Sequence, residues 1–159
     1  MTSSLSMVAD APTRIEFHSG VADKLGHTCR LVRKAWRAGH RVVVTGSPEQ
    51  LSRLDVQLWT FEPGEFIPHA RLRAGASVPT PLLRTPVWLA DQPADLPDDG
   101  GEGRVLVNLG PEPAAGFDRF SRLIEIVAQA ADEVSSGRLR WRHYLAAGLA
   151  PTNLAQGVS

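Results

Sequence analysis

Apolar residues fall along this chain in two alternating rhythms, one with the period of a strand core and one with the period of a helix. "RIEFH" (14–18) reads as a strand. From Val21 to Ala38, Leu25, Cys29, Val32 and Trp36 recur at helical spacing while Arg30, Arg33, Lys34 and Arg37 take the other faces, and Gly39 stops the pattern. "HRVVVTG" (40–46) is a continuous β-branched run of the kind found in a sheet covered on both sides. It leads into "SPEQ", where Ser47 can cap, Pro48 suits the first helical position and Gln50 completes a capping box, predicting a helix through Leu51, Leu54 and Leu58 to about Trp59. Residues 60–85, rich in Pro, Gly and Arg, read as loop. "TPVWLA" (85–90) and "RVLVNLG" (104–110) are short apolar strands, and the acids and prolines of "DQPADLPDDGGEG" between them predict a solvated connection. Phe120, Ile124, Val127 and Ala131 predict a helix from Phe117 to about Val134. "RLRWRHYLAA" predicts a last helix over residues 138–147, stopped by Gly148 with Pro151 beyond.

Strands alternating with helices imply an α/β protein, specifically a three-layer α/β/α fold around a mainly parallel sheet. The boundaries read as a flexible tail over residues 1–13, one domain over 14–150 and a second tail over 151–159. A length of 159 residues with 43% apolar side chains supports one sizeable core.

Charge narrows the function classes. Seventeen basic and seventeen acidic side chains cancel, so no global field drives nonspecific binding to DNA or membranes, and any charge effect is local. One cysteine excludes an internal disulfide and a cysteine-rich metal site, which fits a reducing compartment. The start "MTSSLSMVADAPT" lacks the basic and apolar regions of a signal peptide, and no later apolar run of about 18 residues follows. A cytoplasmic protein with no membrane partner is expected.

Candidate chemistry is sparse. "VVVTGSPE" occupies the strand-to-helix turn where parallel α/β sheets bind phosphates, but it has one glycine, no following lysine, and Glu49 where a phosphate would sit. The five histidines, His18, His27, His40, His69 and His143, are scattered and read as isolated surface or loop residues rather than ligands. Cys29 lies on the apolar face with Leu25 and Val32, where a thiol behaves as a small hydrophobe. No serine sits in a nucleophile elbow, and the Asp98–Asp99 pair belongs to the acidic loop. No catalytic site, metal or cofactor is expected.

Two stretches stand out instead. In "LWTFEPGEFIPH" (58–69), Trp59, Phe61 and Phe66 crowd a segment that Pro63-Gly64 and Pro68 prevent from running as one helix or one central strand. Such aromatics serve either as anchors of a protein interface or as plugs at the edge of the core. Past Glu133 there is no acidic side chain, while Arg138, Arg140, Arg142 and His143 surround Trp141 and Tyr144. On a helix Arg138 neighbours both Trp141 and Arg142, which would set guanidinium groups beside an apolar platform suited to an acidic peptide ending in an aromatic residue and a carboxylate. The same periodicity is equally compatible with Trp141 and Tyr144 in the core and the arginines in water.

The opening strand, "AWRAGHRVVV" (35–44), "RLDVQLWTFEPGEFIPH" (53–69) and "RHYLAAG" (142–148) together resemble the bacterial DNA polymerase III chi subunit family, the small accessory subunit of the clamp-loader complex. The most specific element is the tryptophan followed by phenylalanine and Ile-Pro-His, and the resemblance runs over roughly residues 14–150. It implies a nucleotide-binding-like α/β fold without a nucleotide site, and a non-enzymatic protein that touches DNA only indirectly. It further implies a surface around Trp59, Phe61 and Phe66 for the psi subunit, or alternatively for an accessory helicase. A second surface, at Arg138, Arg140, Trp141, Arg142 and Tyr144, would bind the acidic C-terminal tail of single-stranded DNA-binding protein. Trp141 stands where better-known members carry tyrosine, and Val134 where they carry a lysine, a loss that Arg140 or Arg142 would have to offset. Two other readings stay open from the residues: direct single-stranded DNA binding by the Arg138–Tyr144 patch, and a degenerate nucleotide-binding enzyme with a ligand at the Gly46 turn.

Overall fold

A computed structural model describes residues 12–62, 64–97 and 104–156; Asp98, Asp99 and residues 1–11 of the expected N-terminal tail lie outside them. Seven strands form one sheet: β1 (Arg14–Val21), β2 (Arg41–Thr45), β3 (His69–Leu72), β4 (Val87–Ala90), β5 (Arg104–Asn108), β6 (Arg122–Ala128) and β7 (Thr152–Ala155). They lie in the order β3-β4-β2-β5-β6-β1-β7, and every pairing is parallel. Among the described residues three α-helices are packed on it: α1 (Lys24–Arg37), α2 (Pro48–Thr60) and α3 (Ala131–Ala146).

Successive residues of a strand face opposite sides, so an all-parallel sheet buried on both sides builds two cores. Val42, Val44, Val105, Val107, Ile124 and Ile126 meet Cys29, Val32, Leu51, Leu54 and Leu58 of α1 and α2. On the other face Val43, Leu106, Leu123 and Val127 join Phe17, Trp88, Phe120 and Tyr144 of α3. The architecture is therefore the expected three-layer α/β/α sandwich, with two helices on one face and one on the other. The α2 start forms as expected: Ser47 Oγ accepts from Gln50 N at 3.1 Å and Gln50 Oε1 accepts from Ser47 N at 2.9 Å.

Three segments differ from the sequence expectation. Residues 117–134 are not one helix: Phe117–Arg119 is a single 3-10 turn, Arg122–Ala128 is strand β6, and α3 begins at Ala131. Phe120, Ile124, Val127 and Ala131 happen to match helical spacing, but "LIEIV" is buried on both faces, and its one polar residue, Glu125, meets a partner from α3 instead of water. The expected helix at 138–147 starts seven residues earlier, and Gly137 lets it cross close to the sheet, since a Cβ there would stand 3.0 Å from Val127. Inside the expected loop, His69–Leu72 adds a strand at one edge; at the other edge Thr152–Ala155, expected as tail, pairs with β1. The connection after β4 is less solvated than its acids suggest, because Pro93 and Leu96 are buried and Asp91 pairs with Arg71.

Candidate protein-interaction surfaces

The first surface is built where α2 ends. Gly64, with φ of 83°, lets the chain turn back, and Glu65 is then tied to α1: Arg33 Nε donates to it at 2.6 Å and Arg37 Nε at 3.0 Å. These guanidinium groups, Arg33 first, hold the Glu65 carboxyl below the usual carboxylate range. The next two side chains diverge, with Ile67 entering the core and Phe66 pointing outward. Phe66 is 54% exposed and Trp59 57% exposed, and their ring centroids lie 5.1 Å apart. His69 sits beneath Trp59 at 5.0 Å, with Nδ1 donating to the Ile67 carbonyl at 2.7 Å and Nε2 2.9 Å from the Asp55 carboxylate. Exposed Val56, one helical turn before Trp59, extends the patch. Phe61 does not belong to it: the side chain turns inward and packs, partly buried, against the α1/α2 core.

The second surface is the outer stripe of α3. Arg138, Trp141, Arg142 and Leu145 follow at i, i+3, i+4 and i+7 and so share one face. Arg138 and Arg142 are exposed, Leu145 is 51% exposed, and half-buried Trp141 rests edge-on against Phe17 of β1 at 5.1 Å between centroids. Arg140 and Tyr144 are on the opposite side of the helix and correct the sequence assignment. Arg140 is 2% exposed, with Nε donating to Glu125 at 2.8 Å and Nη1 donating to the Pro111 carbonyl at 3.1 Å. The wholly buried Tyr144 hydroxyl donates to the other oxygen of Glu125 in a short hydrogen bond, and Asn108 Nδ2 donates to both oxygens at 3.1 Å. These two residues anchor α3 and cannot meet a partner. With Arg140 inside, only Arg142 is left to offset the missing lysine at Val134.

At the Gly46 turn, side chains already occupy the polar groups at the ends of β2 and β5: Lys24 Nζ donates to the Leu109 carbonyl at 2.6 Å and to Glu133 at 2.9 Å, and Gln50 Nε2 donates to the same carbonyl at 3.1 Å. Cys29 is buried and its thiol is pushed up to about 11 by desolvation, consistent with a packing role. The histidines are not all isolated: His18 Nδ1 and His27 Nε2 are 2.9 Å apart, though among the described residues no three His, Cys, Asp or Glu side chains gather as metal ligands. Glu65 and Glu125 were missed by sequence reading; a lone acid in a β-branched run was the available signal for Glu125.

The family model for the DNA polymerase III chi subunit, HolC, matches residues 13–152. The chain belongs to the DNA polymerase III chi subunit family. A chi subunit from Pseudomonas aeruginosa is 31% identical over 137 residues, covering 83% of this chain and 89% of that protein. One from Haemophilus influenzae is 27% identical over 115 residues, covering 72% and 74%. Among solved structures, a Dbp5 C-terminal domain from S. cerevisiae, determined bound to Gle1, aligns with a TM-score of 0.57 at 11% identity over 91% of this chain and 90% of that one, a likeness of fold alone. Chi is an accessory subunit of a polymerase and not itself catalytic, so this chain's part in DNA replication is an accessory one. No helix among the described residues is long and apolar enough to cross a membrane.

Proposed function

We propose that this chain is a replisome adaptor in the cytoplasm, binding the psi subunit of the clamp loader through Trp59 and Phe66, and the acidic C-terminal tail of single-stranded DNA-binding protein through Arg138, Trp141 and Arg142. The observation that carries this reading is the pair of separate exposed patches, one aromatic and one basic-aromatic, at opposite edges and on opposite faces of one sheet. Exposed aromatic pairs are the usual anchors of protein interfaces. Guanidinium groups beside a tryptophan complement a peptide that presents carboxylates and a terminal phenylalanine. An accessory helicase is an alternative occupant of the first surface. Direct DNA binding is disfavoured, because burial of Arg140 leaves two exposed arginines on the α3 stripe, too few phosphate contacts for useful affinity at physiological salt.

Calorimetry with purified psi and with a tail peptide tests both halves. Phe66→Ala is expected to weaken psi binding by about 2 kcal/mol or more, and Arg138→Ala to weaken tail binding about tenfold. Arg138 is the cleaner test of the second surface, since Trp141→Ala also removes the contact with Phe17. Unchanged affinity in both variants, with the fold intact, would overturn the assignment.

A further inference from the structure

On the α1 side of the sheet β7 is exposed along its length, and a crevice runs between α1 and the β1/β7 edge. Its outer part has a volume of about 490 Å³ and is lined by His18, His27, Arg30, Lys34, Leu31 and Leu154 among others. An inner recess of about 230 Å³ shares His18, Leu31, Lys34 and Leu154 with it. The outer volume is within the usual range for a small organic ligand.

The polar groups in this crevice are arranged for an anion. The exposed side chains of Arg30 and Lys34, at i and i+4 on α1, make no hydrogen bond or ion pair among the described residues. The one carboxylate of the outer crevice, Asp23, is engaged as the cap of α1, accepting from Gly26 N at 3.1 Å. Behind these cations His18, with its side chain 8% exposed, touches His27 at 2.9 Å, while its Nε2 is buried without a hydrogen-bond partner. The Glu16 carboxylate stands 3.9 Å from that nitrogen and is already held by both ends of the Arg122 guanidinium at 2.8 Å. Burial lowers the pKa of both histidines. An anion reaching His27 would favour a proton on the pair, shared across the 2.9 Å contact. Two free cations argue against a metal ion here, although two imidazoles converge. The apolar side chains Leu31 and Leu154, the latter 50% exposed, offer a seat for an organic body beside the charge.

We propose that the crevice between α1 and the β1/β7 edge binds a phosphate group carried on a small organic molecule, with Arg30, Lys34 and His27 as its donors and His18 backing His27. This inference stands apart from the adaptor reading, because none of its residues belongs to either interaction surface. The probes are inorganic phosphate, pyrophosphate and AMP, with adenosine as the phosphate-free control, titrated into the full chain by calorimetry and by NMR of the histidine side-chain nitrogens. Pyrophosphate and AMP are expected to bind and to shift the His27 and His18 signals, with AMP binding more tightly than inorganic phosphate because of the apolar wall, and adenosine is expected to leave them unmoved. The double variant Arg30→Ala with Lys34→Ala, both exposed and hence compatible with folding, is expected to bind about tenfold more weakly or worse. Binding of adenosine equal to AMP, equal binding by the double variant, or unmoved histidine signals at saturating pyrophosphate would each overturn the proposal. So would displacement of AMP by a single-stranded oligonucleotide lacking a terminal phosphate, which would assign the crevice to a nucleic-acid backbone.

Discussion

Glu125 shows how one residue can decide where its neighbours go. A fully buried carboxyl on a central strand is costly, and burial pushes its pKa up against the pull of Arg140 and the hydrogen bonds from Tyr144 and Asn108. Arg140 and Tyr144 are therefore drawn inward, while Arg138 and Arg142, two residues on either side of Arg140, stay in water. The stability costs should separate accordingly. Arg140→Ala strands the carboxylate and should cost about 3–5 kcal/mol. Tyr144→Phe removes one hydrogen bond to a charged group and should cost about 1.5–3 kcal/mol, whereas Arg138→Ala should stay within about 0.5 kcal/mol. Urea denaturation of the three variants measures this order, and equal costs for Arg138 and Arg140 would contradict the division of α3 into an anchoring face and an exposed face.

At the scale of elements, Glu65 clamps the loop after α2 to α1 and fixes Phe66 outward with Ile67 inward. Because the folded carboxyl titrates below its unfolded value, its contribution is fully present above the unfolded pKa near 4.3 and is lost as pH falls through the lower, folded value. Glu65→Gln should therefore be less stable than the parent at neutral pH, with the gap closing as pH falls through the lowered, folded value; a gap that stays constant as the solution is acidified would show that the charge is not its source. The clamp was invisible in the sequence because Glu65 lies 28 and 32 positions from the two arginines that hold it. What was legible was local: the "SPEQ" cap and the valine runs of β2 and β5 each carry their own start signal or buried pattern. The strand β6 was misread because periodicity alone cannot separate a short buried strand from a helix when Phe120, Ile124 and Val127 fit both. The edge strands β3 and β7, four residues each, are defined by a pairing partner rather than by their own side chains. The aromatic loop and the basic helix were found as stretches, but burial alone could separate Phe61, Arg140 and Tyr144 from the residues that face outward.

Across the whole molecule the two surfaces are held apart by the sheet. Trp59 and Phe66 border β3 at one edge on the α1/α2 face, and Trp141 lies over β1 near the other edge on the α3 face. Five strand spacings separate β3 from β1, about 24 Å at the usual inter-strand distance. Sites so far apart with no shared partner should act independently. A tail peptide and psi are therefore expected to bind one chain together, and Phe66→Ala combined with Arg138→Ala to show binding losses that sum to within about 0.5 kcal/mol of the single variants. Salt should separate the two contacts as well. The exposed pairing of Arg138 and Arg142 with an acidic peptide is screened over a Debye length of about 8 Å at physiological ionic strength, whereas an aromatic anchor is not. Titrating each partner in the presence of the other, at low and high salt, gives the test: tail affinity should fall with salt while psi affinity holds. A tail affinity that changes when psi is bound would mean that the sheet couples the surfaces instead of merely spacing them.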